Sequence, residues 1–229
     1  MRLTASGWRN VMDLAGKKIL FLGDSITEGH GASDVSKCFV SLIAQKENAE
    51  CVNYGIGGTR IARQTTPSAE SIWDRDYLSR VPEMDEDADA VVVFGGTNDF
   101  GHGDAPLGKF EDRCVHTFYG ALHMLFISLI EKYPGKDIVV LTPLHRLTED
   151  NPYGDGFKKV PTAPLKTYVE IIREVAEYYS LPVLDLYANS GLQPKVPVIQ
   201  QKYMPDGLHP CDAGYEVLAK KIAQFLKTL

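Results

Sequence analysis

No apolar run in this sequence approaches the ~20 residues that a helix needs to cross a bilayer, so no membrane partner is expected. Its first stretch, MRLTASGWRNVMDLAGKK, has no apolar core of signal-peptide length, and the expected location is cytoplasmic. Positive charge is not in excess. The 24 Lys and Arg stand against 30 Asp and Glu, a net charge of −6 that disfavours nucleic acid as a partner. Cysteine is sparse: Cys38, Cys51, Cys114 and Cys211 show no CxxC spacing, which argues against a zinc ribbon or a redox pair. They read instead as small buried hydrophobes in a reducing compartment. Internal repeats and low-complexity segments are absent too. The 229 residues are 44% apolar and 24% charged, a balance that excludes a disordered or fibrous chain and supports a core without staples. Residues 1–16 read as a polar lead-in and 17–229 as one domain.

Short apolar runs alternate with amphipathic stretches. Lys18–Leu22 (KILFL), Cys51–Asn53, Ala90–Phe94 (AVVVF), Ile138–Leu141 (IVVL) and Pro182–Leu186 read as strands. The AVVVF run is apolar at every position, as in a parallel strand covered on both faces. Between them, Phe39, Leu42 and Ile43 mark a helix. A second is expected over 114–132, with Val115, Phe118, Leu122, Leu125, Phe126 and Leu129 on one face. A third spans 165–179, and the last carries Leu218, Ile222, Phe225 and Leu226. Residues 143–161 read as a loop, and a second loop holding Pro194, Pro197 and Pro205 leads to the final helix. Five strands alternating with helices predict an α/β fold with a parallel sheet and helices on both faces. Ligands in such folds bind beyond the carboxyl ends of the strands. That rim carries Gly23-Asp24-Ser25, Asn53 to Arg60, Gly95 to Asp99, Pro143 to Arg146 and a late loop ending at His209.

These rim segments hold reactive residue types. Ser25 follows the first strand in Gly-Asp-Ser-Ile-Thr, where Asp and Ser also suit a helix N-cap. A serine hydroxyl needs a base to become a nucleophile. His209 can supply one, and Asp206, three residues earlier, can orient the imidazole. Pro210 suits the first turn of the last helix. Asn98, in Gly95-Gly-Thr-Asn-Asp, offers an uncharged N–H donor of the kind that stabilises an oxyanion, and the glycines of Asn53-Tyr-Gly-Ile-Gly-Gly can lend a backbone N–H. The latter segment is not a dinucleotide fingerprint: Arg60 replaces its last glycine, and it follows the second strand rather than the first. No Gly-x-Ser-x-Gly occurs, so the nucleophile elbow of α/β-hydrolases is absent.

Taken in order, Gly23-Asp24-Ser25, Asn53–Gly58, Gly96-Thr97-Asn98-Asp99 and Asp206-Gly207-Leu208-His209 resemble the four blocks of the SGNH hydrolases, the GDSL esterase/lipase superfamily. The first block is GDSIT rather than the literal GDSL. The resemblance implies a flavodoxin-like three-layer α/β/α sandwich with a five-stranded parallel sheet. It also implies a serine esterase with neither cofactor nor metal. Carried over, Ser25 is the nucleophile, His209 the general base and acid, and Asp206 its orienting partner. The oxyanion donors are the backbone N–H groups of Ser25 and Gly58 and the side-chain amide of Asn98. Gly58 rather than Gly57 falls five positions after the block's asparagine, Asn53.

Asp24, Arg60, Trp73, Phe100 and His145 are the candidate substrate-binding residues, with His102 and Arg146 near the same rim. Trp and Phe can stack on a sugar ring, and Arg can bind a carboxylate or hydroxyls. No long apolar lid is evident, so the expected substrate is a short acyl ester, such as an acetyl group on a carbohydrate or small molecule. Self-association is left open. Two rival readings remain: a metal-dependent phosphoesterase, which lacks the Asp-x-His pattern here, and a non-catalytic carbohydrate-binding protein of the same fold.

Overall fold

The structure, a computed structural model, describes residues 13–229. Of the lead-in expected over 1–16, residues 1–12 lie outside that range. The strands are β1 (Lys18–Gly23), β2 (Glu50–Gly55), β3 (Ala90–Phe94), β4 (Asp137–Leu141) and β5 (Val183–Leu184). The helices, in chain order, are α1 (Ser25–Glu28), α2 (Phe39–Glu47), α3 (Tyr77–Arg80), α4 (Thr97–Gly101), α5 (Phe118–Lys132), α6 (Leu165–Tyr178), α7 (Leu186–Asn189), α8 (Pro197–Tyr203) and α9 (Asp212–Leu226). All strand pairings are parallel, and the sheet runs β2-β1-β3-β4-β5. This is the flavodoxin-like order, whose direction of winding reverses between β1 and β3 and opens a crevice there.

Alternation along each strand builds two cores. Leu20 and Leu22 of β1, Val91 and Val93 of β3, and Ile138 and Val140 of β4 face α5 and α6. Ile19, Phe21, Val92, Phe94, Val139 and Leu141 face α2 and α9 on the other side. Hence β3 is buried at all five positions, the reason its sequence shows no polar alternation. Helix α6 keeps Leu165, Tyr168, Val169, Ile172, Val175 and Ala176 buried at spacings of three and four. Burial of each large apolar side chain contributes roughly 1.5–3 kcal/mol. Among the described residues, no helix is long and apolar enough to cross a membrane.

Several boundaries differ from expectation for local reasons. The helix expected from 114 starts at Phe118, because Thr117 caps it by accepting from Gly120 N at 3.1 Å; Val115 lies outside. Strand β5 stops at Leu184, and Asp185 caps α7, accepting from Ala188 N at 3.0 Å. The proline-rich loop before the last helix contains α8, with Pro197 in its first turn, where a missing N–H costs nothing. Pro210 precedes α9 rather than entering it, and Cys211 is the residue before the helix. Of the cysteines only Cys38 is fully buried; Cys51 and Cys211 are half-buried and Cys114 is exposed.

The carboxyl end of β2 lies against the backbone of α1. A Cβ on Gly55 would sit 2.1 Å from Glu28 N, so only glycine permits this approach. Gly55→Ala is expected to lower unfolding free energy in urea by about 3 kcal/mol, the upper range for overpacking, and to displace α1 with it.

Candidate active site

Ser25 opens α1 directly after β1. Asp24 is the N-cap, its carboxylate accepting from Ile26 N at 3.0 Å, so the Gly-Asp-Ser block both caps a helix and presents a serine. As the first residue of the helix, Ser25 has a backbone N–H with no intrahelical acceptor, and it makes no hydrogen bond among the described residues.

His209 reaches Ser25 from the other end of the chain. Its Nε2 lies 3.0 Å from Ser25 Oγ, and its Nδ1 lies 2.6 Å from Asp206 Oδ2. An ionised carboxylate only accepts, so Nδ1 carries the proton and Nε2 is free to accept from the serine hydroxyl. The other oxygen of Asp206 accepts from His209 N at 2.7 Å and Leu208 N at 2.9 Å. Partial burial raises the Asp206 pKa, but the hydrogen bonds from His209 and these amides outweigh it and hold the carboxyl well below its usual range. The His30 ring packs on that of His209, with centroids 4.3 Å apart.

The two neighbouring glycines differ in what their amides do. Gly57 N donates to Glu28 Oε2 at 2.9 Å. Gly58 N makes no hydrogen bond among the described residues. Gly58 adopts φ +73°, and a Cβ there would meet the Trp73 ring at 2.6 Å, so the position demands glycine twice over. Asn98, at the start of α4, donates one amide N–H to Thr59 O at 2.9 Å; its second has no acceptor among the described residues. Three N–H groups from the loops after β1, β2 and β3 are therefore available at this rim.

The scaffold beneath includes residues that sequence reasoning missed. Arg80 is buried and donates to Tyr54 O at 2.7 Å, Gly23 O at 3.1 Å and Thr59 Oγ1 at 3.2 Å. Nothing in the sequence around it signals this role, because its partners are two strand-end carbonyls and a loop hydroxyl brought together by the fold. Asp99 accepts from Ile61 N at 3.0 Å and Ala62 N at 2.9 Å, fastening the loop after β2 to α4. The loop after β4 docks on the turn that holds His209, through Leu147 N donating to Gly207 O at 2.9 Å.

The candidate substrate-binding residues scatter. Asp24 is buried as a cap and its carboxylate faces the protein. Phe100 is 0% exposed, packed edge-on against Tyr168 and beneath the Arg146 guanidinium, so it has no face to offer a sugar. Arg60 is buried, and its Nη2 is committed to Asp74 at 3.0 Å and Ser68 at 2.6 Å. His145 gives Nδ1 to Glu149 at 2.7 Å and lies against the Tyr187 ring. Arg146 is buried on Thr97 and Asp155. Trp73 is 38% exposed against Gly58, and His102 donates from Nε2 to Gly58 O at 3.2 Å; these two border the rim. Among the described residues, no three His, Cys, Asp or Glu side chains cluster as metal ligands would.

A serine, an imidazole and a carboxylate thus stand in hydrogen-bonded series at the crevice of a parallel α/β sheet. The chain belongs to the GDSL-like Lipase/Acylhydrolase family, which matches residues 21–217, and is a carboxylic ester hydrolase. It is 24% identical over 225 residues to the acetylxylan esterase of Geobacillus stearothermophilus, covering 90% of this chain and 92% of that one. The crystal structure of a Lactobacillus plantarum protein is 30% identical with a TM-score of 0.78, covering 93% of this chain and 97% of that one. The fold is also that of the lipase/acylhydrolase from Enterococcus faecalis, at 24% identity and a TM-score of 0.64, with 92% and 95% covered.

Burial raises the Asp24 pKa to about 6, against the hydrogen bond from Ile26 N and the fields of His209 and Arg80. The folded protein therefore binds this proton more tightly than the unfolded chain. Stability linked to Asp24 is greatest below pH 4 and is lost as pH rises towards 6. Asn mimics the protonated form and keeps the cap. In urea titrations, Asp24→Asn is expected to match the wild type near pH 4 and to exceed it by about 3 kcal/mol at pH 7.

Proposed function

We propose that Ser25, His209 and Asp206 hydrolyse esters by acyl transfer. The observation that carries this reading is the continuous hydrogen-bonded series from Ser25 Oγ through His209 to Asp206. His209 Nε2 takes the hydroxyl proton as Oγ attacks the ester carbonyl, forming a tetrahedral oxyanion. That oxygen is stabilised by Ser25 N, Gly58 N and Asn98 Nδ2, donors whose other commitments leave an N–H free. Collapse of the intermediate breaks the bond to the alcohol, which leaves with the proton from His209. Water then attacks the acyl-enzyme with the roles of His209 repeated, releasing the acid and restoring Ser25. Asp206 stays ionised throughout, stabilising the imidazolium and fixing its tautomer. No cofactor or metal enters this scheme.

The substrate class we propose is a short acyl ester, an acetyl group on a carbohydrate or small molecule. The relative from Geobacillus stearothermophilus, an acetylxylan esterase, supports it. Further support comes from the surroundings of Gly58, where Trp73 and His102 bring an aromatic face and a polar ring.

Hydrolysis of p-nitrophenyl esters tests the reading. Turnover is expected with acetate and to fall steeply beyond butyrate. Ser25→Ala is expected to abolish it, and fluorophosphonate labelling with it, while the circular dichroism spectrum stays unchanged. Asn98→Ala is expected to lower kcat by ~10²–10³-fold, the effect of one lost oxyanion donor. A Ser25→Ala protein of full activity would refute the scheme.

A further inference from the structure

A cavity of about 810 Å³ lies between the loop after β2, the segment after α4 and residues 157–163. That is the size of a site for a whole small molecule, far more than an acetyl group fills. It adjoins the proposed oxyanion donors through two links. His102, in its wall, hydrogen-bonds Gly58 O, and Arg60, also in its wall, follows Gly58 by two residues.

Its chemistry is divided. The rim is apolar, with Phe157 80% and Val160 72% exposed although both line the cavity. Its inner wall is cationic. Lys158 holds its ammonium there by donating to Asp99 O at 2.8 Å, which leaves two of its three N–H groups for another acceptor. Arg60 is 97% buried, and its Nε–H has no acceptor among the described residues. A buried donor without an acceptor is costly, and a ligand oxygen would relieve it. The carboxylate of Asp104, the acidic residue of the lining, is already engaged by Thr65 N and Thr66 N. Burial also lowers the Lys158 pKa to about 8 despite nearby Asp99, Asp104 and Asp155, which is the state of an ammonium that lacks a close counterion. The Lys158 ammonium and the unengaged Nε–H of Arg60 together match a carboxylate, and the apolar rim suits a ring.

We propose that this cavity selects the leaving alcohol, and that the preferred substrates are esters whose alcohol carries one carboxylate, as in an acylated sugar acid or hydroxy acid. The proposal rests on the acyl-transfer reading of Ser25, since the cavity takes the half of the ester that leaves. Lys158 provides the charge, Arg60 Nε the second donor, and Phe157 with Val160 the apolar contact.

Phenyl acetate and 3-carboxyphenyl acetate differ only in the carboxylate and test it directly. The wild type is expected to show a KM ~10–100-fold lower for the carboxylate ester, the range for hydrogen bonds to a charged group, with similar kcat. Lys158→Met is expected to bring the ratio of the two KM values near one, and Lys158→Arg to restore it. Equal KM values in the wild type, or a preference that survives Lys158→Met, would overturn the proposal. Should neither ester turn over, the short-acyl reading fails, and the cavity is judged alone by calorimetry with 3-hydroxybenzoate. Binding to the wild type that Lys158→Met abolishes supports the anion site, and no binding to the wild type rejects it.

Discussion

Arg80 holds together the ends of two strands and the loop that follows one of them. Carbonyl groups at the carboxyl ends of parallel strands point outward and need partners where the sheet stops. Here Gly23 O of β1, Tyr54 O of β2 and Thr59 Oγ1 share one buried guanidinium, whose face also rests on the Tyr77 ring. The fork geometry of arginine allows several acceptors at once in a fixed plane, which a lysine cannot do. The position of Ser25, two residues beyond Gly23, and that of Gly58, one before Thr59, both inherit from this tie. Burying the charge is costly in itself, and the carboxylate of Asp24 nearby offsets part of that cost.

Around this tie the site divides its labour by layer. Asp24, Asp99 and Arg80 are buried and hold backbone: a helix start, a loop amide pair and two strand ends. Ser25, His209 and the free N–H groups of Gly58 and Asn98 stand above them at the crevice. Preorganisation of this kind matters because donors aimed in advance need not reorganise as charge develops on a carbonyl oxygen. Asp206 is itself half-exposed, and its low pKa comes from hydrogen bonds made within a three-residue turn rather than from a distant partner. The base is thus assembled locally, and only its approach to Ser25 needs the tertiary fold.

Much of the architecture was legible because both faces of the sheet are covered. The run Ala90–Phe94 is buried throughout, and its uniform apolarity marked it as a central strand. Helices α5, α6 and α9 likewise announced themselves by apolar spacing. The elements that escaped notice are short ones, α3, α4, α7 and α8, each too brief to show a period and each set by a cap or a tertiary contact. The substrate-facing residues were the least legible. Phe100 has the composition of a stacking platform but lies in the core, while Lys158 looked like any loop lysine until the fold placed it beside Asp99.

By itself, the sequence determined the order of strands and helices, the residue types at each strand end and the four blocks that mark the family. Those features depend on local periodicity and on chemistry that only certain side chains can perform. The tertiary structure decided which residues meet. Ser25 and His209 are 184 positions apart and meet only in the folded chain. Whether Gly57 or Gly58 keeps a free amide turned on the reach of Glu28, and which Arg60 nitrogen is committed to a protein carboxylate turned on where Asp74 comes to rest. Such choices are made by long-range contacts whose distances no local pattern encodes, because each depends on how separate loops settle over the same sheet edge.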